Sequence, residues 1–142
     1  MDITQNELKA LVSYDKDTGA FTRIAALSKR SARHVGSICG SRNKVTGYVE
    51  MNVGGRKQYA HRLAWIYVYG YVPDGMRVDH VNRERSDNRI SNLRLASHAD
   101  NLRNCKVRID NTSGVKGVSF DAARGKWAAS VGKKKIGRFE TL

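Results

Sequence analysis

The stretch GYVEMNVGGRKQYA, Gly47 to Ala60, restricts the possible folds more than any other part of the chain. Apolar and polar residues alternate through GYVEMNV. Gly54-Gly55 then supplies a two-residue turn whose backbone needs positive φ, and RKQYA returns. An antiparallel β-hairpin is expected. HRLAWIYVYG follows with no intervening loop, far short of the roughly 18 apolar residues of a membrane span. It ends at Gly70 with Pro73 beyond, the pattern of a buried helix over His61 to Tyr69 with glycine as its stop. Its β-rich composition leaves a strand as the alternative. A hairpin feeding directly into a helix points to an α+β fold built on small antiparallel sheets.

The flanking sequence extends that picture. TQNELKALVS, Thr4 to Ser13, reads as a short helix with Thr4 and Glu7 at capping-box spacing and Leu8, Leu11 and Val12 on one face. YDKDTGAFTR reads as a hairpin turning at Asp17-Thr18-Gly19. Ala25 to Arg33 is small, polar and basic, and is expected to be a loop. GMRVDHV is a short strand, NRERSDNRISN a long polar loop, LRLA a second strand, and Ser97 caps a helix HADNLRNC. After RIDNTSG, a linker-like stretch, GVKGVSF, GKWAASVG and KKIGRFETL form three strand candidates. Three segments result: a strand-rich region over 1–60, a strand-loop-strand-helix module over 61–105, and a small sheet over 106–142.

Charge narrows the partner. The net charge of +13 attracts polyanions at long range, so nucleic acid is the expected partner. No long basic amphipathic helix suggests a membrane surface. The start of the chain, MDITQNELKALVSYD, has no basic-then-apolar signal pattern, so a cytoplasmic protein is expected, in a host cell's cytoplasm if phage-encoded. Cys39 and Cys105 stand far apart with no Cys-x-x-Cys pair, which speaks against a structural zinc site.

The most chemically loaded stretch is RVDHVNRERSDNRISNLRLASHADN, Arg77 to Asn101. Phosphodiester hydrolysis at neutral pH needs a base to activate water, a cation for the charge on phosphorus and leaving oxygen, and a fixed orientation for the base. Asp79 offers a carboxylate and Asn101 an amide oxygen, both suited to a hard cation such as Mg²⁺. His80 offers an imidazole that titrates near neutral pH. Strand neighbours point to opposite faces, so Asp79 and His80 need an irregular strand end to share a site. Asn92 has the hydrogen-bonding capacity to pin the loop and the imidazole.

The run HRLAWIYVYGYVPDGMRVDHVNRERSDNRISNLRLASHADN resembles the HNH endonuclease family, in the His-Asn-Asn form of phage homing and nicking enzymes. The matching features are HR opening the preceding helix, V-D-H, D-N-R-x-S-N-L-R, and a helix carrying D-N; they cover His61 to Asn104. The resemblance implies a ββα-metal site with His80 as general base, Asp79 and Asn101 as ligands of Mg²⁺, Mn²⁺ or another divalent cation, and Asn92 bracing the His80 loop. It implies cleavage of double-stranded DNA to 5′-phosphate and 3′-hydroxyl ends. One site per chain implies a nick by a monomer, with a homodimer or two successive nicks needed for a double-strand break. Many members carry glycine soon after the catalytic histidine. Here the turn is Asn82-Arg83-Glu84, with Asn82 the residue able to adopt the left-handed conformation. The helix position often filled by histidine is Asn101, and His98 lies three residues earlier, either a second ligand or phosphate contact or simply solvent-facing. His61 is read as a helix-start residue rather than a catalyst. Arg83, Arg85, Arg89 and Arg94 flank the site as candidate DNA contacts.

Residues 106–142 carry nine Lys or Arg against three Asp or Glu. GVKGVSFDAARGKWAASVGKKKIGRFETL is similar to the AP2 DNA-binding domain through G-V-x-G-V, G-K-W-x-A and I-G-x-F. That resemblance implies a three-stranded antiparallel sheet in the major groove, with Lys116, Arg124, Lys126, Trp127 and Arg138 as candidate contacts and Lys133, Lys134 and Lys135 near phosphates. Trp127 as a core residue is the competing reading. The family's helix should begin where the chain stops, so the AP2-like segment is expected to be incomplete. A non-catalytic DNA-binding protein of the same fold, and an RNA-binding accessory protein, remain the alternatives to a nuclease, because phosphate attraction is sequence-blind.

Overall fold

The computed structural model describes residues 3–26, 28–97, 99–100, 104, 107 and 109–142. The chain divides into two compact units, Met1–Asn104 and Cys105–Leu142.

In the first unit, α1 (Gln5–Leu11) begins with the expected reciprocal cap. Thr4 N donates to Glu7 Oε2 at 2.8 Å, and Glu7 N donates to Thr4 Oγ1 at 3.3 Å. Val12 is already extended (φ −141°), so the helix stops and the chain enters β1 (Val12–Tyr14). An Asp15 turn, closed by Gly19 at φ 75°, returns it as β2 (Phe21–Arg23). Part of the segment expected to be a loop forms a single helical turn, α2 (Lys29–Ala32). The sequence Lys-Arg-Ser-Ala contains no strong helix breaker, and Ala32 N reaches back to Ser28 O at 3.1 Å. β3 (Ile38–Cys39) completes the first antiparallel sheet.

β4 (Ser41–Arg42), β5 (Val49–Val53) and β6 (Arg56–Tyr59) form a second sheet, with Gly54 and Gly55 at φ 57° and 75° in the β5–β6 turn. This is the turn geometry that two consecutive glycines permit without steric cost. α3 (Ala60–Tyr69) follows at once and ends at Gly70 (φ 95°). It is a helix because its ten residues, apolar from Leu63 onward, bury Leu63, Ala64 and Ile66 on one face. The third sheet is a hairpin of β7 (Arg77–His80) and β8 (Leu93–Ala96).

One hydrophobic core joins these parts. Leu8, Val12, Tyr14, Phe21, Met51 and Val53 pack in the same cluster as Leu63, Ala64, Ile66, Val78 and Leu93. The core therefore runs straight across residue 60. Side chains such as Leu63, fully shielded from solvent, each contribute roughly 1.5–3 kcal/mol by burial. The β7–β8 hairpin is anchored through Val78 and Leu93, and its far end is left to carry polar groups.

The second unit contains the three expected strands, β9 (Val118–Asp121), β10 (Lys126–Val131) and β11 (Lys134–Phe139), in the order β11-β10-β9. Pairing of Trp127 with both Phe120 and Phe139, and of Ala129 with Val118, gives one apolar face. Lys126, Ala128, Ser119, Asp121 and Arg138 lie on the other. A bulge interrupts the β10–β11 register between Ala129 and Ser130.

Candidate functional site

β7 and β8 are joined by residues 81–92, a loop held open by its own polar side chains. The ladder is extended one step by Val81 N to Asn92 O, 2.9 Å. Asn92 is buried and works in two directions: its Oδ1 accepts from Asn82 N at 3.0 Å, and its Nδ2 donates to Asp87 O at 2.9 Å. Both ends of the loop are thus tied to one amide. Asp87 is tied in turn by Arg89 at 2.8 and 2.7 Å and by Asn82 Nδ2 at 2.8 Å. Those hydrogen bonds, led by Arg89, hold the Asp87 carboxyl down at about 2. The left-handed residue in the turn is Arg83 (φ 64°) rather than the expected Asn82. Asn82 Oδ1 instead accepts from Glu84 N at 2.8 Å, and that local turn passes the positive φ to the next residue.

His80 closes β7 as a buried residue, 3% exposed. The partner of its imidazole is Asn88, with Nε2 3.2 Å from Asn88 Oδ1. Asn88 Nδ2 donates to Ser86 O at 3.3 Å, which turns the amide oxygen toward the histidine. An amide oxygen only accepts, so this contact is a hydrogen bond in the tautomer with its hydrogen on Nε2 and its lone pair on Nδ1. Burial lowers the His80 pKa, against the opposing pull of Asn88, Asp79, Asp87 and Glu84, so the ring is neutral at neutral pH. Asn88 was not singled out from the sequence; Asn92, which was, braces the loop, its amide engaged by Asn82 and Asp87.

Asp79 belongs to the opposite face of β7. Its Oδ2 accepts from Asn104 Nδ2 at 2.8 Å and from Arg94 Nη2 at 3.1 Å; Arg94 is its cross-strand neighbour. Asn104 Nδ2 also donates to His80 O at 2.9 Å, so one amide spans the Asp79 side chain and the His80 backbone. Asn104, missed in the sequence, is a site residue by this contact. Asn101 and His98 lie outside the described residues. Among the described residues no three His, Cys, Asp or Glu gather as a metal cluster. Asp79 Oδ1 accepts no hydrogen bond among those residues. A carboxylate oxygen is a donor that suits a hard divalent cation keeping most of its water, while the neighbouring Asn104 presents its Nδ2 to Asp79 and its Oδ1 to Arg83.

Behind His80 stands a group of rings. His61, on the first turn of α3, has its ring centroid 4.9 Å from that of His80, at a 63° angle. Tyr48 lies 5.1 Å from His61 and 5.9 Å from His80, and Tyr59 lies 5.6 Å from His61. His61 Nδ1 is buried and has no hydrogen-bond partner among the described residues. Burial above all, then His80 and Arg62, pushes its pKa down to about 3. The H-R opening of α3 was the available signal for this residue.

The four arginines expected to flank the site, three on the loop and Arg94 on β8, all have partners within the unit. Arg83 Nε donates to Asn104 Oδ1 (3.3 Å), Arg85 Nη1 donates to Thr46 O (2.8 Å) and lies 4.9 Å from the Tyr48 ring, Arg89 pairs with Asp87, and Arg94 with Asp79. They remain exposed. In the second unit Arg124 and Arg138 pair with Asp121 (3.2 and 3.3 Å), and Lys126 with Glu140 (3.5 Å). Lys116, Lys133, Lys134 and Lys135 are exposed. Trp127 packs edge-on against Phe120 at 5.1 Å on the apolar face, so it does not share a surface with Lys126 and Arg138.

Residues 58–103 match the family model for the HNH endonuclease. The chain is 35% identical over 71 residues to Protein 3.8 of Escherichia phage T7, covering 50% of this chain and 59% of that protein. It is also similar to the structure of the HNH homing endonuclease I-HmuI, described for DNA binding and cleavage, with 26% identity and a TM-score of 0.49 over 66% of this chain and 51% of that one. The chain spans little more than half of either protein. No helix among the described residues is long and apolar enough to cross a membrane.

Proposed function

We propose that the chain is a metal-dependent DNA endonuclease whose catalytic base is His80. The observation that carries this reading is the Asn88–His80 hydrogen bond, which leaves Nδ1 as the basic nitrogen at a strand end that also bears Asp79, inside the segment that matches the HNH family model. The neutral imidazole takes a proton from the water that attacks phosphorus. Asn88 fixes the ring, and Asn92 fixes the loop that carries Asn88. Asp79 and Asn101 would hold a divalent cation, with Asn104 fixing the Asp79 carboxylate against the His80 backbone. Such a cation, when bound, neutralises charge on the phosphate and on the leaving oxygen. Asp79 would offer such a cation its Oδ1, while Oδ2 keeps Asn104 and Arg94. The expected products carry 5′-phosphate and 3′-hydroxyl ends, with one strand cut per site. The net charge of +13 draws the protein to DNA. The exposed Lys133, Lys134 and Lys135 are phosphate contacts in this reading, and the Lys126 and Arg138 face of the C-terminal sheet approaches the duplex.

The test is supercoiled plasmid incubated with the protein and Mg²⁺ or Mn²⁺. Conversion to the nicked circle, blocked by chelator, is the expected result. DNA binding without any cleavage in either metal would refute the nuclease reading in favour of a DNA-binding role.

A further inference from the structure

The N-terminal hairpin reaches into the proposed site. Tyr14, at the end of β1, donates its hydroxyl hydrogen to the carbonyl of Asn88 at 2.6 Å, in a buried contact 74 residues apart in sequence. Two further contacts grip the same short stretch. Ile90 N donates to Lys16 O at 3.2 Å. Gly19 approaches so closely that a Cβ there would come within 2.5 Å of Asn88 C and 2.6 Å of Arg89 N. The Tyr14 ring is itself fixed, 4.7 Å from Phe21 and 5.6 Å from Tyr67. Burial pushes its phenol up to about 12, so it remains a hydrogen donor at any working pH. The chain from the hydrophobic core to the imidazole is then unbroken: core ring, hydroxyl, Asn88 backbone, Asn88 amide, His80 Nε2.

We propose that Tyr14 is a positioning residue for His80, acting through Asn88, and that the β1–β2 turn is the clamp that sets the tautomer of the base. This rests on His80 being the base. The geometry favours a positioning role over simple stabilisation because the clamp holds the residue whose side-chain amide oxygen lies at hydrogen-bond distance from His80 Nε2. With the hydroxyl gone, the Asn88 carbonyl loses a buried partner, and the stretch carrying the amide is free to shift away from Nε2.

The experiment pairs kinetics with a readout that needs no cleavage. Tyr14→Phe should lower the single-turnover nicking rate at saturating DNA about ten-fold, the scale of one lost buried hydrogen bond, with DNA affinity changed less than about two-fold. In an Asn88→Ala background, where no amide remains to be positioned, Tyr14→Phe should change that rate less than about two-fold. Nitrogen-15 chemical shifts of His80 in the metal-free wild type should report a hydrogen on Nε2, and Tyr14→Phe should move them toward a tautomer mixture. A wild type with its hydrogen on Nδ1 would overturn the proposal without any variant. So would a Tyr14→Phe protein that melts earlier but keeps the wild-type rate and His80 shifts, or one that loses a further ten-fold in the Asn88→Ala background. If the wild type nicks nothing while the shifts move as expected, the clamp stands and the assignment of His80 as a base falls.

Discussion

Replacing His61 by Phe should make the protein more resistant to acid. The unfolded imidazole titrates near 6.5, whereas burial among Tyr48, Tyr59 and His80 pushes the folded value down to about 3. Between those values the unfolded chain binds the extra proton, so stability falls as the pH drops below 6.5 and is untouched above it. Each pH unit in that window removes about 1.4 kcal/mol, or about 2.7 kcal/mol by pH 4.5. Phenylalanine preserves the ring, removes the titration, and breaks no hydrogen bond made by Nδ1, which has no partner among the described residues. At pH 7.5 the variant should match or slightly exceed the wild type. By pH 4.5 its relative stability should have risen by about 2–3 kcal/mol. His80, also depressed, steepens the acid loss of both proteins and largely cancels in the comparison. Urea unfolding at pH 7.5, 6.5, 5.5 and 4.5 measures this, followed through Trp65 in a Trp127→Phe background so that only the first unit is observed. A difference between the two proteins that stays flat across this range would mean that His61 is not held neutral by burial.

Other expectations are simpler to state. His80→Ala should abolish plasmid nicking while leaving the salt-dependent affinity for DNA unchanged; wild-type cleavage by that variant would remove the base. Asn92→Ala strips partners from Asn82 N and Asp87 O, so unfolding free energy should fall by about 2–3 kcal/mol, visible as a lower urea midpoint with an unchanged slope. Changing Lys133, Lys134 and Lys135 together to Gln should flatten the plot of log affinity against log salt by about two to three charges if all three meet phosphate. An unchanged slope would mean that this lysine run does not touch the backbone.

What was legible in the sequence is what short-range chemistry decides. The Thr4–Glu7 cap, the Gly54-Gly55 turn and the Gly70 stop each involve residues a few positions apart, and each appears where the pattern requires it. The α2 turn escaped because a four-residue helix gives no periodicity to read. Charge was legible in total but not in use. Arg89 and Arg94 are engaged by Asp87 and Asp79, and those pairings depend on a loop conformation and a strand register rather than on spacing.

The site itself divides along the same line. Its members were visible as residue types, but the motif D-N-R-I-S-N offers both Asn88 and Asn92, and nothing local says which one meets an imidazole. The outcome depends on how the loop closes. Asn92 sits in the turn Ile90–Asn92 immediately before β8, where its amide can reach both Asn82 and Asp87 and is used up. Asn88 sits mid-loop, pinned from outside by Tyr14, and that leaves its side chain free to face His80. A buried neutral imidazole can carry its hydrogen on either nitrogen. A chain that uses its Nδ1 as a base therefore needs the second nitrogen committed before substrate arrives. The loop's own side chains tie its ends, and the N-terminal hairpin adds a buried anchor at Asn88. Residues 3–23 thus belong to the same compact unit as the candidate site, joined to it by the core shared across residue 60.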